Sequence, residues 1–192
     1  MAKVTLAPGF ENLHGPVGKL PYRLFLGMNI VYPKPKRVRQ PNTPAQRGWR
    51  RTFREGTAYA KRVSEDPATW PAYVAEARKR RTTASALATK DWLKPPRVTA
   101  IGLSRYRRHA GDMITVQAED DFKVIRVAVE ILAEAETLVE GGAATFDAAS
   151  GSWKYTVMAD ATGQSGLTVR ATAWDRPGHT GTLAVTCHRR AT

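Results

Sequence analysis

The hydrophobic pattern of the chain changes its period at "KPPR", residues 94–97. Between residues 42 and 93 apolar side chains recur at helical spacing, whereas later segments such as "MITVQAE" and "LTVRATAWD" alternate as half-buried strands do. Adjacent prolines suit neither a helix interior nor a central strand. The pattern therefore predicts an α+β chain of two modules, with a proline-rich linker at the end of residues 42–97.

Residues 1–41 predict a β-hairpin that continues into an extended arm. Tyr22, Leu24 and Leu26 alternate, Gly27 offers a turn, and residues 28–32 supply the returning strand. The next segment, "PKPKRVRQP", must be extended because its prolines forbid a helix.

Residues 42–97 predict a short helical bundle. Thr43 can cap a first helix whose first position is a proline, which is the usual placement of both residue types. The proline of "EDP" interrupts this helix. A second helix should begin near Trp70 with Thr69 as its cap, and a third should cover "TASALATKDWL" with Thr83 as its cap.

The aromatic residues of this module recur at the spacing of a helical core. They could stack nucleic-acid bases, as the aromatic residues of single-strand binders do. Helices this short need aromatic anchors to pack, however, so we expect these side chains to be buried. They are Trp49, Phe53, Trp70, Tyr73 and Trp92.

Residues 98–192 predict an immunoglobulin-like β-sandwich. About seven segments rich in Val, Thr and aromatic residues are separated by turn clusters such as "RHAGD", "ASGS" and "DRPGHTG", a spacing typical of that fold. Cys187 is the only cysteine, so neither an internal disulfide framework nor a multi-cysteine metal site is possible.

Positive charge is concentrated in the first half of the chain. Residues 1–97 hold 20 Lys and Arg against 6 Asp and Glu, a net charge of +14, whereas residues 98–192 hold 10 against 11, a net charge of −1. So sharp a difference indicates two modules with different partners.

The cations of residues 1–97 form three clusters, and we predict that they contact nucleic-acid phosphates. Arginine dominates these clusters, and its guanidinium group makes bidentate contacts with phosphate. The alternative, a solvated surface with cations near helix C-termini, accounts for "RKRR" but not for the scarcity of nearby carboxylates. The predicted contacts are Lys34, Lys36, Arg37 and Arg39 in the arm, Arg47, Arg50, Arg51, Arg54, Lys61 and Arg62 in the first helix, and Arg78, Lys79, Arg80 and Arg81 at the end of the second.

The function that these features predict is non-enzymatic and largely independent of nucleotide sequence. No zinc finger, RNP motif or helix-turn-helix is recognisable, which favours contacts with the backbone, most simply that of DNA. We therefore predict a DNA-binding or coating protein whose sandwich serves as outer surface or subunit contact. The alternative is a structural or adhesive self-assembling protein, such as a virion, fibre or surface component, whose basic half contacts an acidic protein or a glycan.

The hairpin arm is a second candidate contact surface. A hairpin this short is not stable alone, so it must pack on its own chain or dock on a neighbouring subunit by strand addition. Docking on a neighbour would produce a homo-oligomer or a filament. The candidate residues are Leu20, Leu24, Leu26, Ile30 and Val31.

We predict no catalytic site, metal site or cofactor. The four histidines are scattered, and there is no HExxH, GxSxG or phosphate-binding glycine motif. The cluster Glu119, Asp120 and Asp121, with Asp112 and Asp175 in other loops, could bind calcium, but the spacing matches no calcium loop and favours turns.

The N-terminal residues lack the apolar run of a signal peptide, and no segment is apolar enough to span a bilayer. We therefore expect a cytoplasmic protein by default, with leaderless or lytic release as the open alternative.

Two parts of the chain resemble bacterial sequences. Residues 43–81 resemble a helical segment of small uncharacterised bacterial proteins, and "GDMITVQAEDDFKVIRVAVEI", "WKYT" and "ATAWDRPGHTG" resemble immunoglobulin-like modules of bacterial surface and assembly proteins. Together they cover about three quarters of the chain. The resemblance implies an architecture without a mechanism, and a binding or spacing role rather than catalysis. The residues that carry the helical pattern are Thr43, Gln46, Arg50, Phe53, Ala58, Ala60, Lys61, Asp66, Pro67, Tyr73 and Ala77.

Overall fold

The computed structural model describes residues 2–3, 15–34, 43–164 and 166–188. These residues form three α-helices and three four-stranded sheets, in which all neighbouring strands are antiparallel. The predicted α+β class is therefore confirmed.

The first sheet contains the predicted hairpin. β3 (Leu20–Phe25) and β4 (Met28–Val31) pair through a turn at Leu26 and Gly27, both of which have positive φ. β1 (Ala2–Lys3) pairs with β4 and β2 (Gly15–Val17) with β3. The sequence pattern does not predict these two outer strands, because strands of two or three residues are too short to show alternation.

The described part of the arm ends at residue 34. The predicted extended segment lies outside the described residues from residue 35 onward. Three of its predicted phosphate contacts lie there too, namely Lys36, Arg37 and Arg39.

The first helix, α1 (Pro44–Ser64), begins as the sequence predicts. The Gln46 backbone N–H donates to Thr43 Oγ1 at 3.3 Å, and the Thr43 N–H donates back to Gln46 Oε1 at 3.2 Å. This reciprocal pair satisfies two backbone donors that a helix end otherwise leaves without partners.

Two shorter helices follow, α2 (Trp70–Lys79) and α3 (Ala84–Leu93). The cap of α3 is confirmed, since Thr83 Oγ1 accepts the Ala86 backbone N–H at 3.2 Å. The cap predicted for α2 is wrong, because the Thr69 backbone is already helical (φ −99°, ψ −38°) and its side chain makes no capping bond. The Trp70 N–H donates instead to the Asp66 carbonyl oxygen at 3.0 Å.

The three helices enclose a small apolar core. Its centre is the fully buried side chain of Tyr73. α1 packs closely on α3 at Gly56, where an added Cβ would lie 3.2 Å from Trp92 Cδ1. Trp70 and Trp92 pack against this core but are only half-buried, so the expectation that they are buried is met in part. The buried core residues are Tyr59, Ala60, Val63, Tyr73, Ala77, Leu87 and Ala88.

Two aromatic residues do not join this core. Trp49 is 63 % exposed and Phe53 is 51 % exposed, so the expectation that they are buried is wrong. The buried residues of α1 all lie from Gly56 onward. Helical spacing identified the correct face of α1, but it does not report how far along the helix other elements cover that face.

The second and third sheets pack face to face over one larger core. The strand orders are β5-β6-β10-β9 and β12-β11-β7-β8. Side chains at alternate positions, such as Val127, Val129 and Ile131, are almost fully buried. We call this part of the chain the two-sheet unit. Its strands are β5 (Arg97–Arg105), β6 (Met113–Glu119), β7 (Arg126–Leu132), β8 (Leu138–Ala143), β9 (Thr145–Asp147), β10 (Ser152–Thr156), β11 (Gly166–Trp174) and β12 (Thr180–His188).

The segment "TLVEGGAATF" forms two strands and not the single one that its pattern predicts. β8 pairs with β7 in one sheet, and β9 pairs with β10 in the other. The chain changes sheets at Ala144, whose buried N–H donates to the Val127 carbonyl oxygen at 2.9 Å. Alternation in the sequence continues through a change of sheet, so the pattern alone cannot locate the break.

The helices pack on one end of the two-sheet unit. Phe122, between β6 and β7, stacks on Tyr73 with ring centroids 4.3 Å apart. The Arg176 guanidinium, between β11 and β12, lies 5.9 Å from the Tyr73 centroid and 5.5 Å from that of Phe122. The edge of Trp92 meets the His179 ring at 4.7 Å. Residues 94–96 therefore connect two units that contact each other. We call this contact region the junction.

Among the described residues, no helix is both long and apolar enough to cross a membrane.

We predict that Gly181→Ala destabilises the protein. An added Cβ would lie 1.9 Å from the Pro96 carbonyl oxygen, so β5 or β12 would have to move, at a cost of about 1–3 kcal/mol. Gly48→Ala is the matched control, because Gly48 lies in α1 with open space around it and the same change should stabilise by about 0.5–1 kcal/mol. Urea unfolding measures both, and equal effects would contradict the packing at Gly181.

Candidate nucleic-acid interface

One face of α1 consists almost entirely of cations. At about 100° per residue, all six basic side chains of the helix project within an arc of about 120°, opposite the face that carries Gly56, Ala60 and Val63. Capping and packing fix this orientation, since the apolar face must turn towards α3. We call this cationic face the basic strip, and its residues are Arg47, Arg50, Arg51, Arg54, Lys61 and Arg62.

The basic strip is exposed and has few anionic neighbours. All six residues are exposed, and Glu55 is the one acidic residue of α1. Arg51, Arg54 and Lys61 form no salt bridge within the described residues. Their charges are thus available to an external anion. The Arg62 guanidinium lies 5.6 Å from the centroid of the Tyr59 ring.

The cluster at the end of α2 divides into two pairs. Lys79 and Arg80 lie 3.3 and 2.8 Å from the Glu76 carboxylate, whose pKa these hydrogen bonds lower. Arg80 also donates to the Asp121 carbonyl oxygen at 2.6 Å and so ties α2 to the two-sheet unit. These two cations have a local structural role, while Arg78 and Arg81 are exposed. In the arm, Lys34 is exposed as well.

An aromatic surface on the apolar face of α1 meets the basic strip at one edge, where Phe53 neighbours Arg50. Trp49 and Phe53 lie one helical turn apart on the apolar face, both more than half exposed. Phe53 also lines a groove of about 300 Å³ between α1 and α3. The remaining lining residues are Ser85, Ala86, Thr89, Lys90 and Leu93. We call Trp49 and Phe53 the aromatic ridge.

A buried chain of hydrogen bonds holds the helices in place behind this surface. Tyr59 and Tyr73 share a hydroxyl hydrogen bond of 3.0 Å, and the Tyr73 hydroxyl donates to Asp91 Oδ2. Burial raises the pKa of Asp91 to about 7, with nearby Asp120 adding to the shift. Asp91 Oδ1 and Asp120 Oδ1 are both buried without a partner. A proton on Asp91 can be donated to Asp120, which satisfies both oxygens.

The acidic residues noted in the sequence serve turns and the junction. Asp112 Oδ2 accepts backbone N–H groups at residues 107 and 109, and Asp120 Oδ2 accepts those of Phe122 and Lys123. Asp121 pairs with Lys90 of α3 at 3.3 Å and with Lys94, which directly follows α3, at 3.1 Å.

Buried Asp175 organises the turn between β11 and β12. It accepts the N–H groups of Gly178 and His179 at 2.8 and 2.6 Å and lies 3.1 Å from His179 Nδ1. Burial raises the pKa of this carboxyl, against the opposing effect of these hydrogen bonds. In the part of the chain that the structure describes, no group of three or more His, Cys, Asp or Glu residues is arranged to hold a metal ion.

Comparisons with known proteins identify no family. No family model and no curated protein matches the chain. Among solved structures, an engineered protein matches 40 % of this chain and 15 % of its own length, at 28 % identity and a TM-score of 0.30. The CopC protein from Methylosinus trichosporium OB3b matches 50 % of this chain and 97 % of its own length, at 14 % identity and a TM-score of 0.35. Similarities this weak carry no argument about function.

We predict that stability falls as the pH rises from about 4 to about 7. Asp91 has its raised pKa of about 7 only when folded, against an ordinary value of 3.8, so the folded protein binds more protons in this window. The contribution of Asp91 to stability is complete when the pH is below its ordinary pKa of 3.8. It is lost as the pH rises through the pKa of about 7 that Asp91 has in the folded protein. Asp91→Asn, which resembles the protonated acid, should reduce the decline when the free energy of unfolding is measured by urea titration. A smaller decline should remain, because burial also raises the pKa of Asp175.

Asp121→Asn is the control for this titration. Burial raises the pKa of Asp121, but the bonds to Lys94 and Lys90 outweigh burial, so this pKa is lowered in the folded protein. The stabilising effect of the Asp121 carboxylate is therefore lost only as the pH falls below the ordinary pKa range of aspartate. The decline between pH 4 and 7 should persist in this variant. An unchanged decline in Asp91→Asn would contradict the assignment to Asp91.

Proposed function

We propose that the protein binds nucleic acid, most simply DNA, through phosphate contacts of the basic strip and with little dependence on nucleotide sequence. The observation that carries this proposal is the arrangement of α1, which buries one face against α3 and presents six exposed cations on the other. Lysine and arginine bind phosphates by releasing the condensed counterions around them.

The dimensions of the basic strip suit a nucleic-acid backbone. From Arg47 to Arg62 the helix rises about 22 Å, and duplex DNA carries one charge per about 1.7 Å of its axis. One exposed helix face can therefore meet several phosphates at once. Arg78, Arg81 and Lys34 are further candidate contacts, while Lys79 and Arg80 contribute mainly to structure.

We propose that the two-sheet unit is an immunoglobulin-like sandwich that serves as outer surface or subunit contact. In that fold the first, second, fifth and fourth strands form one sheet, and the third, sixth and seventh form the other. With β8 as an added strand beside the third, the orders β5-β6-β10-β9 and β12-β11-β7-β8 agree with this scheme. The near-neutral charge of residues 98–192 supports a role other than phosphate binding.

We predict that binding depends steeply on salt through the basic strip. Replacing Arg51, Arg54 and Lys61 together by Gln should reduce the slope of log affinity against log salt by roughly 0.9 per lost phosphate contact, about two to three units in all. Fluorescence anisotropy with a labelled mixed-sequence DNA duplex, in a salt series starting near 50 mM, measures this slope.

The matched control removes the same charge from the two-sheet unit. Arg97, Arg105 and Lys123 are exposed, form no salt bridge within the described residues, and can be replaced together by Gln. This variant should keep the wild-type slope. Equal losses in both triple variants would show that the net charge of the protein determines binding and that the basic strip has no special role. If the protein binds neither the duplex nor the corresponding single strand at about 50 mM salt, the proposal is refuted.

A second candidate function is self-assembly, which the first sheet favours. Leu20, Leu24 and Leu26 of the hairpin are 44 %, 50 % and 46 % exposed, whereas Ile30 is buried and Val31 is half-buried. We propose that the exposed three contact a second copy of the chain. Sedimentation velocity of nucleic-acid-free protein should then show oligomers that grow with protein concentration and that Leu24→Ser weakens.

A further inference from the structure

The aromatic ridge says more about the kind of partner than the basic strip does, because exposed cations can bind any anion. Single exposed apolar side chains are common on protein surfaces and need no explanation. Here, however, two large aromatic rings follow each other by one turn, and Phe53 continues into the groove lined by Ala86 and Leu93. The result is a contiguous apolar surface on an otherwise strongly charged helix.

Cations flank this surface on both sides. Arg50 precedes Phe53 by three residues and therefore neighbours it on the helix surface, at the edge of the basic strip. Lys90 lines the groove on the opposite side, where its ammonium group also lies 3.3 Å from Asp121. A partner that contacts both the rings and these cations would combine apolar groups with negative charge.

A nucleic-acid single strand has that combination, and a duplex does not. Paired bases are stacked on each other and present only their edges in the grooves, whereas an unpaired base can place its face on an aromatic ring. Stacking of this kind tolerates any base, in agreement with the prediction from the sequence that binding depends little on nucleotide sequence.

We propose that single-stranded nucleic acid is the form that the protein binds in preference, with bases stacked on Trp49 and Phe53 and phosphates held by the edge of the basic strip that adjoins Phe53. This inference rests on the proposed function, which requires only that phosphates are bound. In this inference, the aromatic ridge is the part of the protein that makes it bind single strands more tightly than duplexes.

The test compares full-length wild type with Trp49→Ala, Phe53→Ala and the double variant. Each is titrated into a labelled single strand of about 12 nucleotides and into the corresponding duplex, at one salt concentration. Phe146→Ala is the matched control, because Phe146 is similarly exposed, at 52 %, but lies in β9 of the two-sheet unit. Thermal unfolding of all variants shows whether each remains folded.

The expected result is a loss of about tenfold or more in single-strand affinity for each ring removed, with duplex affinity and the control unchanged. Quenching of Trp49 fluorescence by the single strand, measured as the difference between wild type and Trp49→Ala, should accompany binding. Equal losses for strand and duplex, or no loss for either, would overturn the inference while leaving phosphate binding in place.

Two other outcomes are distinct from these. If wild type binds neither strand nor duplex, the proposed function fails and the inference fails with it. If the ridge variants change the sedimentation coefficient of nucleic-acid-free protein but bind single strands as wild type does, the ridge is a contact between copies of the chain, and the inference is wrong.

Discussion

The burial of Tyr73 connects the helices to each other and to the two-sheet unit. Its hydroxyl lies between Tyr59 of α1 and Asp91 of α3, and its ring stacks on Phe122 from the loop after β6. A hydroxyl removed from water must find partners, and here one residue from each neighbouring helix supplies them. Arg176 covers the same rings from the two-sheet unit. Four parts of the chain therefore meet at one side chain.

This anchoring decides what α1 presents to solvent. Because Tyr59 must reach Tyr73 and Gly56 must approach α3, the helix cannot rotate about its axis. The basic strip is then fixed on the outer face. The buried residues of α1 all lie from Gly56 onward, so Trp49 and Phe53, which precede Gly56, remain exposed. The combination of cations and open aromatic rings follows from where the core of the helical bundle ends.

Local signals in the sequence predicted much of the fold. The Thr43 and Thr83 caps and the turn at Gly27 each depend on residues close together in the chain, and each is confirmed. The change of sheet at Ala144 is different, since it depends on Val127 from a distant strand. The hydrophobic periodicity of a strand shows which face of the sheet each residue occupies. It does not show which other strand pairs with that strand.

The same limit applies to the candidate site. The position of each cation on the outer face of α1 was predictable from helical spacing. The pairing of Lys79 and Arg80 was partly predictable, since Glu76 lies three and four residues before them. The exposure of the aromatic ridge was not, because nothing in the sequence shows where α3 ceases to cover α1. Asp91 and Asp120 likewise come together only through packing at the junction.

Mapping of the nucleic-acid contact along the chain tests the central claim most directly. A photoreactive single strand, cross-linked to the full-length protein and analysed by mass spectrometry of the resulting peptides, reports which residues touch it. The account predicts cross-links within α1, concentrated at the aromatic ridge and the adjoining arginines and abolished at high salt. Cross-links confined to the two-sheet unit would contradict it, and so would cross-links that persist unchanged at high salt.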